Sequence, residues 1–447
     1  MTWPEKIREL SISVAGQPTA ALLKRSVFQL IYEATAQRCV GLGLPPSERV
    51  FQKGDLFSAL DMNLPEGYLF DRILDRYPKF ALSKMHLLAL MGSGGIGRLG
   101  YALPGAPAAA PPASVSREDL LYGGRSEALF EELMDAYLGA GTALSGVQPK
   151  VMVPVPGKAI ISAPNVIVKT EGLRYPGLCA NEWMCLTAAR CAGLPVPNFA
   201  LSDDAKLLVI DRFDITETGQ RLGFEDIAAI MQLRVRDRLS SRKYIGSYED
   251  VANALQLVCT DAPAALRQFF AYLALSVLLR NGDAHLKNFG VLYDEPGPGH
   301  PAPYVWLSPL YDQVTTTLYT YERPGGIETV DHTMALKLRR GKRSGDKSPA
   351  RSYPGRKELE KFGRDVCGVQ TPSAVIEPIG DAMGQALQLA RRQTSISRAL
   401  CQRMTVIWDT ARRSLCKYRH PEDGRHGKDH DGPDRHQNGQ VGLYQVT

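Results

Sequence analysis

Asp283 and Asn288 stand five residues apart in the stretch SVLLRNGDAHLKNFG (276–290), directly after an apolar run. That spacing suits a phosphotransferase loop of the form D-x-x-x-x-N. Such a loop needs a carboxylate to orient a hydroxyl nucleophile and, five residues on, an amide oxygen that can hold Mg²⁺ beside a triphosphate. Alone, an Asp and an Asn at this spacing are ordinary loop chemistry, so the companions elsewhere in the chain decide the reading.

Three companions occur in the order that a two-lobed phosphotransferase requires. The Gly-rich run GAGTALSGVQPK (139–150) can wrap phosphates with backbone N–H groups. Asn165-Val-Ile-Val-Lys169 reads as a strand ending in a lysine. Thirteen residues later Glu182 opens the helix-like run NEWMCLTAARCAG, which stops at Gly193. A lysine on a strand and a glutamate on the next helix can form the ion pair that aims Lys169 at the α/β-phosphates. Two β-like runs, FGVLYD (289–294) and YVWLSPLYD (304–312), flank a Pro/Gly turn and deliver Asp312 as a second metal ligand. Singly, Lys169 and Glu182 read as surface charge; in this order the parts support one another. His285, two residues after Asp283, reads as a hydrogen-bonding brace for the loop, because the carboxylate already suits the role of base.

These segments resemble a known family, the HipA-type serine/threonine kinases, which are the toxin halves of bacterial toxin–antitoxin pairs. The matching stretches are Ser145-Gly-Val-Gln-Pro-Lys150, Val168-Lys169, Asn181-Glu182, GLPVP (193–197), Asp211-Arg-Phe-Asp214 and Phe224-Glu-Asp226. Asn281-Gly-Asp-Ala-His-Leu-Lys-Asn288 and Pro309-Leu-Tyr-Asp312 complete the set, which spreads over residues 10 to about 410. The resemblance implies an α+β, two-lobed, protein-kinase-like fold with a small N-terminal α/β subdomain and a mostly helical C-lobe. It implies ATP and Mg²⁺ as cofactors and a protein hydroxyl as acceptor.

Carried over by position, it puts Ser145, Gly146, Val147, Gln148, Pro149 and Lys150 around the phosphates and Lys169, paired with Glu182, on the α/β-phosphates. Asp211, Arg212 and Phe213 fall at the hinge beside the adenine. Asp283 becomes the catalytic base and Asn288 and Asp312 the magnesium ligands, with His285 and Lys287 counted in the same nucleotide site. Family members often carry two serines near the phosphate loop that can be autophosphorylated; here Ala143 fills the earlier position, leaving Ser145 as the candidate.

A chain of 447 residues, 44% hydrophobic and 22% charged, can bury cores for two or three domains and belongs to the ordinary globular class. Its eight cysteines lack metal-ligand spacing and read as reduced core residues of a cytoplasmic protein. The start MTWPEKIREL has no apolar h-region, and the longest apolar run, FFAYLALSVLL (269–279), is too short to span a bilayer, so no membrane association is expected.

The Pro/Ala stretch LPGAPAAAPPAS (103–114) divides the chain. The expected units are an N-terminal subdomain (1–103), a linker (104–116), an N-lobe (117–223), a helical C-lobe (224–416) and a disordered, His-rich tail (417–447). GSGGIG (92–97) reads as a tight turn before a strand and not as a nucleotide loop. FEDIAAIMQL (224–233), SYEDVANALQLV (247–258), ALRQFFAYLALSVLL (265–279) and PSAVIEPIGDAMGQALQLARRQ (372–393) read as helices.

Between Lys337 and Lys357 nine Lys/Arg face one acid, Asp346. This segment reads either as a solvated loop or as a docking surface for nucleic acid or an acidic substrate. The net charge of +6 is too modest to make the whole chain a nucleic-acid binder. The resemblance therefore points to operator DNA contacted through a separately encoded helix-turn-helix antitoxin of HipB type, and to an aminoacyl-tRNA synthetase as protein substrate. Two other classes stay open: a small-molecule or lipid kinase using the same G-D-x-H-x-x-N loop, and a silent kinase-fold subunit of an antitoxin–DNA complex.

Overall fold

The first strand, β1 (Glu9–Val14), turns Leu10, Ile12 and Val14 inward and leaves the alternate residues wetter, the pattern of a sheet with one buried face. In the computed structural model it turns into β2 (Gln17–Lys24) through Ala15 and Gly16, whose φ values are 49° and 79°. Positive φ at both positions matches the twist of the paired strands. With β3 (Phe28–Tyr32), β4 (Val50–Lys53) and β5 (Leu99–Ala102), these make an antiparallel sheet in the order β4-β3-β2-β1-β5. Helices α1 (Ser58–Asp61), α2 (Gly67–Arg76) and α3 (Lys84–Met91) lie between β4 and β5 in the chain. GSGGIG is the turn from α3 into β5, as its sequence suggests.

The structure describes residues 4–106, 115–124, 126–140, 150–153, 165–172, 175–233, 240–295, 302–323, 326–341 and 351–416. The tail from 417, most of the Pro/Ala stretch and residues 342–350 of the basic segment lie outside them. No helix among the described residues is long and apolar enough to cross a membrane.

After α4 (Arg117–Tyr122) the helical pattern breaks at Gly123-Gly124, where Gly124 has φ 65°, and resumes as α5 (Ser126–Ala140). A second antiparallel sheet follows, ordered β6-β7-β9-β8 from β6 (Lys150–Val153), β7 (Val166–Thr170), β8 (Phe199–Leu201) and β9 (Leu207–Asp211). Strand parity divides β7. Val166 and Val168 join the core of the N-terminal sheet, so Lys169, of opposite parity, points the other way, toward α6 (Leu178–Cys191). That helix starts one turn earlier than expected. Gly177, with φ 76°, precedes it, so Glu182 lies inside the helix and does not open it.

The expected helix over 224–233 is corrected. Gly223–Asp226 is a strand, β10, and only Ile227–Ile230 is helical, as α7. The apolar spacing of FEDIAAIMQL fits a helix, but β10 pairs antiparallel with β11 (Gly290–Tyr293), which pairs in turn with β12 (Val305–Leu307). Asp226 ends the strand by capping α7, its side chain accepting from Ala229 N–H at 2.7 Å. Helices α8 (Tyr248–Val258) and α9 (Ala262–Leu278) follow as expected. α9 is apolar nearly all round because it runs through the centre of the larger core.

Glu225 on β10 is buried and accepts from Leu42 N–H at 2.6 Å and Tyr293 O–H at 3.3 Å. Burial outweighs those donors and pushes its carboxyl up to about 7. Its folded value thus lies above its unfolded one, so the folded state holds the extra proton, and stability declines as pH rises from about 4.5 to about 7. Glu225→Gln is therefore expected to gain stability relative to the parent at pH 8 and much less at pH 5. Urea midpoints of both proteins at the two pH values check this.

The hairpin β13 (Thr320–Arg323) and β14 (Ile327–Val330) precedes the basic segment, and α10 (Arg356–Asp365), α11 (Ser373–Arg392) and α12 (Arg398–Leu415) complete the fold. At its described ends the 337–357 segment is anchored to the rest of the fold. Leu338 is buried and Lys337 C=O accepts from Tyr248 N–H. Arg339 pairs with Asp365 at 3.0 Å, Arg340 with Asp250, and Arg356 with Glu377 at 2.7 Å. Carboxylates distant in sequence answer these cations, which a local charge count does not reveal.

Candidate functional site

A cleft of about 1280 Å³ lies where β7, β9, β10, the 281–288 loop and the segment after α1 converge. Lys169, Glu182, Asp283, Asn288 and Asp312, expected as a set, all line it. Lys169 is almost fully buried and donates to Glu182 Oε1 at 2.5 Å, and its ammonium also meets the Asp312 carboxylate. Burial alone would lower the lysine's pKa, but the two carboxylates outweigh it and hold the group above its ordinary value, so it is a fixed cation. Asp312 has φ 51°, in the left-handed region that non-glycine residues seldom occupy. The strained backbone sits where its carboxylate meets Lys169, a cost that functional sites commonly carry.

Hydrogen bonds behind these residues fix their positions. Asn181, beside Glu182, accepts from Thr315 N–H at 2.9 Å and donates to Thr315 C=O at 3.1 Å, and buried Trp408 donates to Thr315 Oγ1 at 2.8 Å. These contacts tie α6 to the chain following Asp312. Gln313 Oε1 accepts from Ser276 at 2.9 Å and Asn281 at 3.1 Å, and Gly282 N–H donates to Thr316 at 2.7 Å. The loop carrying Asp283 is thus bonded to the segment carrying Asp312.

Within the loop, Asn281 Oδ1 accepts from Asp283 N–H at 3.0 Å, and Asn288 Nδ2 donates to Asp283 C=O at 2.8 Å. With its amide nitrogen engaged, Asn288 has Oδ1 as its remaining donor atom for a cation. The Asp283 side chain is 46% exposed, the accessibility a group must have to meet an incoming hydroxyl.

His285 departs from its expected role. Its Nε2 lies 3.9 Å from Asp283 Oδ1, too far for a hydrogen bond, and its Nδ1 has no partner among the described residues. Burial pushes its pKa down to about 4, so the ring is neutral at physiological pH and braces the loop by packing edge-on to Tyr244 at 5.1 Å.

The 211–214 segment divides. Asp211 pairs with Arg117, and buried Arg212 forks onto Asp214 and donates to Gly95 C=O at 2.9 Å, while Gly97 N–H donates to Asp214 at 2.7 Å. Arg212 and Asp214 therefore clasp the 92–97 turn, Asp211 is engaged with α4, and of the four only Phe213 faces the cleft. There it stacks on Tyr311, centroids 5.4 Å apart, beside Phe224 at 5.7 Å. Ser145, Gly146, Val147, Gln148 and Pro149 lie outside the described residues; Lys150 opens β6 in register with Lys169.

Three residues on the cleft wall carry no motif. Tyr244 donates to Asp283 Oδ1 at 2.6 Å. Glu66, from the N-terminal unit, accepts from Lys287 Nζ at 2.6 Å and lies 3.7 Å from Lys243. The Lys243-Tyr244 pair and Glu66 come from segments whose sequence gives no chemical pattern, so only the fold could reveal them.

Comparisons with known proteins bear on the family and the fold. The family model described as "HipA-like C-terminal domain" matches residues 142–390, and that of the "HipA N-terminal domain" matches 10–102. A Sinorhizobium fredii protein named "Putative kinase Y4dM" is 33% identical over 168 residues, 34% of this chain and 38% of that protein. A Haemophilus influenzae protein named "Putative kinase" is 28% identical over 194 residues, 40% and 54% respectively. The alignments thus span about half or less of these relatives' own length. In the solved complex of the Shewanella oneidensis MR-1 toxin–antitoxin system HipA, HipB and its operator DNA, one chain superposes with TM-score 0.65 at 17% identity. The match covers 90% of this chain and 97% of that one, a likeness of fold.

Proposed function

The chain belongs to the HipA family, and from that premise we propose that it is an ATP-dependent serine/threonine protein kinase acting as a growth-arresting toxin. The observation that carries this is the Lys169–Glu182 pair, with Asp312 on the same ammonium, in one cleft with Asp283.

In this reading the acceptor hydroxyl approaches Asp283, which takes its proton as the oxygen bonds to the γ-phosphorus. The bond from that phosphorus to the bridging oxygen breaks, and ADP leaves with the electron pair. Lys169, held by Glu182, neutralises charge on the α/β-phosphates, and the Phe213–Tyr311 pair offers an apolar wall to the base. Asn288 Oδ1 and the Asp312 carboxylate are hard oxygen donors that fit Mg²⁺ and would hold it. When bound, Mg²⁺ supplies charge neutralisation at the phosphates. The family resemblance assigns Ser145 to Lys150 to the phosphates, and Ser145 is the candidate for autophosphorylation.

The HipA–HipB–operator complex supports a HipB-type antitoxin partner and operator DNA, and contact with that DNA through the antitoxin is part of the proposal. An aminoacyl-tRNA synthetase is the proposed substrate class and the cytoplasm the proposed location. Expression of the chain and its Asp283→Asn variant in bacteria, followed by phosphopeptide mapping, tests the proposal. New Ser/Thr phosphosites that need Asp283 support it. ATP turnover without protein phosphosites would point to a small-molecule or lipid kinase, and neither to a silent subunit of a repressor complex.

A further inference from the structure

The catalytic-loop lysine, Lys287, is held from outside the kinase lobes. Its Nζ donates to Glu66 Oε1 at 2.6 Å and to Met62 C=O at 3.2 Å, and lies 4.0 Å from Asp226. Glu66 stands just before α2, in the part of the chain matched by the N-terminal family model. Its other oxygen is 3.7 Å from Lys243, which precedes the Tyr244 that contacts Asp283. The side chains of Glu66, Lys287 and Lys243 are each 10% exposed or less, yet all three border the cleft. Burial would lower the pKa of Lys287, but Glu66 and Asp226 more than offset it, so the lysine stays charged.

Taking Glu66, Asp226 and two lysines out of water is costly, and a well-packed apolar substitute would serve stability as well or better. A charged cluster at the rim of a nucleotide site has another use: it presents a fixed cation to an anion. Resting on the kinase reading above, we propose that Glu66 is a positioning residue of the active site. It holds the Lys287 ammonium at the place of the transferred phosphate, so that the N-terminal unit completes the γ-phosphate site. ADP lacks that phosphate, so the contribution of Glu66 belongs to ATP and to transfer, and not to nucleotide binding in general.

The test uses the full chain with Mg²⁺ and fluorescent mant-ATP and mant-ADP as probes, on the parent, Glu66→Gln, Glu66→Asp and Lys287→Met. Glu66→Gln is expected to weaken mant-ATP binding about tenfold, the scale of one charge-assisted hydrogen bond. Mant-ADP binding should stay within about twofold, and Glu66→Asp should recover part of the loss. In the Lys287→Met background Glu66→Gln should add nothing further, since the partner is already gone. A general loosening of the fold would instead weaken both nucleotides together and lower the melting temperature, and that result would overturn the proposal. Unchanged mant-ATP affinity in Glu66→Gln, with the parent binding both nucleotides, would overturn it too. A parent chain that binds neither nucleotide would overturn the kinase reading itself.

Discussion

Asp283→Asn is expected to slow phosphoryl transfer by about a hundredfold or more while leaving nucleotide affinity within about twofold. The substitution is nearly isosteric, and the backbone contacts that shape the loop, from Asp283 N–H to Asn281 and from Asn288 to Asp283 C=O, do not involve the carboxylate. An asparagine Oδ1 can still accept from Tyr244. What is lost is the anion proposed to take the acceptor's proton. Initial rates of ³²P transfer from γ-labelled ATP, set beside mant-ATP titrations, separate the two effects. A parallel fall in both would assign Asp283 to binding and not to transfer.

The second large effect concerns Lys169. Lys169→Met leaves Glu182 buried with its cation removed, and breaking a buried pair on one side costs about 3–5 kcal/mol. Asp312 suffers less, because its side chain is 32% exposed and can be hydrated. The variant should therefore unfold at markedly lower denaturant and lose transfer by about a hundredfold or more. The double variant Lys169→Met/Glu182→Met removes both buried charges at similar volume. It is expected to recover most of the stability and none of the activity, since the group proposed to face the α/β-phosphates is still missing. Urea midpoints together with transfer rates check both halves. Recovery of activity in the double variant would show the pair to be structural only.

The gathering of Lys169, Glu182, Asp283, Asn288 and Asp312 in one cleft was legible because each sits at a recognisable junction. A lysine ends a strand of known parity, a glutamate lies on the next helix, and two acids end apolar runs. β10 was not legible. Its residues carry helix-like apolar spacing, and only pairing with β11, more than sixty positions away, turns them into a strand. The same non-locality hid Glu66 and Tyr244, and it hid the carboxylates that occupy Arg339 and Arg340. The family resemblance placed Arg212 at a hinge beside the nucleotide together with Phe213; Phe213 does face the cleft, but the Arg212 guanidinium is spent on Asp214 and the 92–97 turn. Motif order reports which residues share a site, whereas the partners of each charge depend on contacts that no local pattern encodes.

In the proposed reaction this cleft moves the γ-phosphate of ATP to a protein hydroxyl. Its most direct test is phosphoamino-acid analysis of a nucleotide-depleted bacterial lysate incubated with the purified chain, Mg²⁺ and γ-³²P-ATP. ³²P is expected in phosphoserine or phosphothreonine, and absent when Asp283→Asn replaces the parent. Label found only in free phosphate or small molecules, or protein label undiminished in the Asp283 variant, would contradict it.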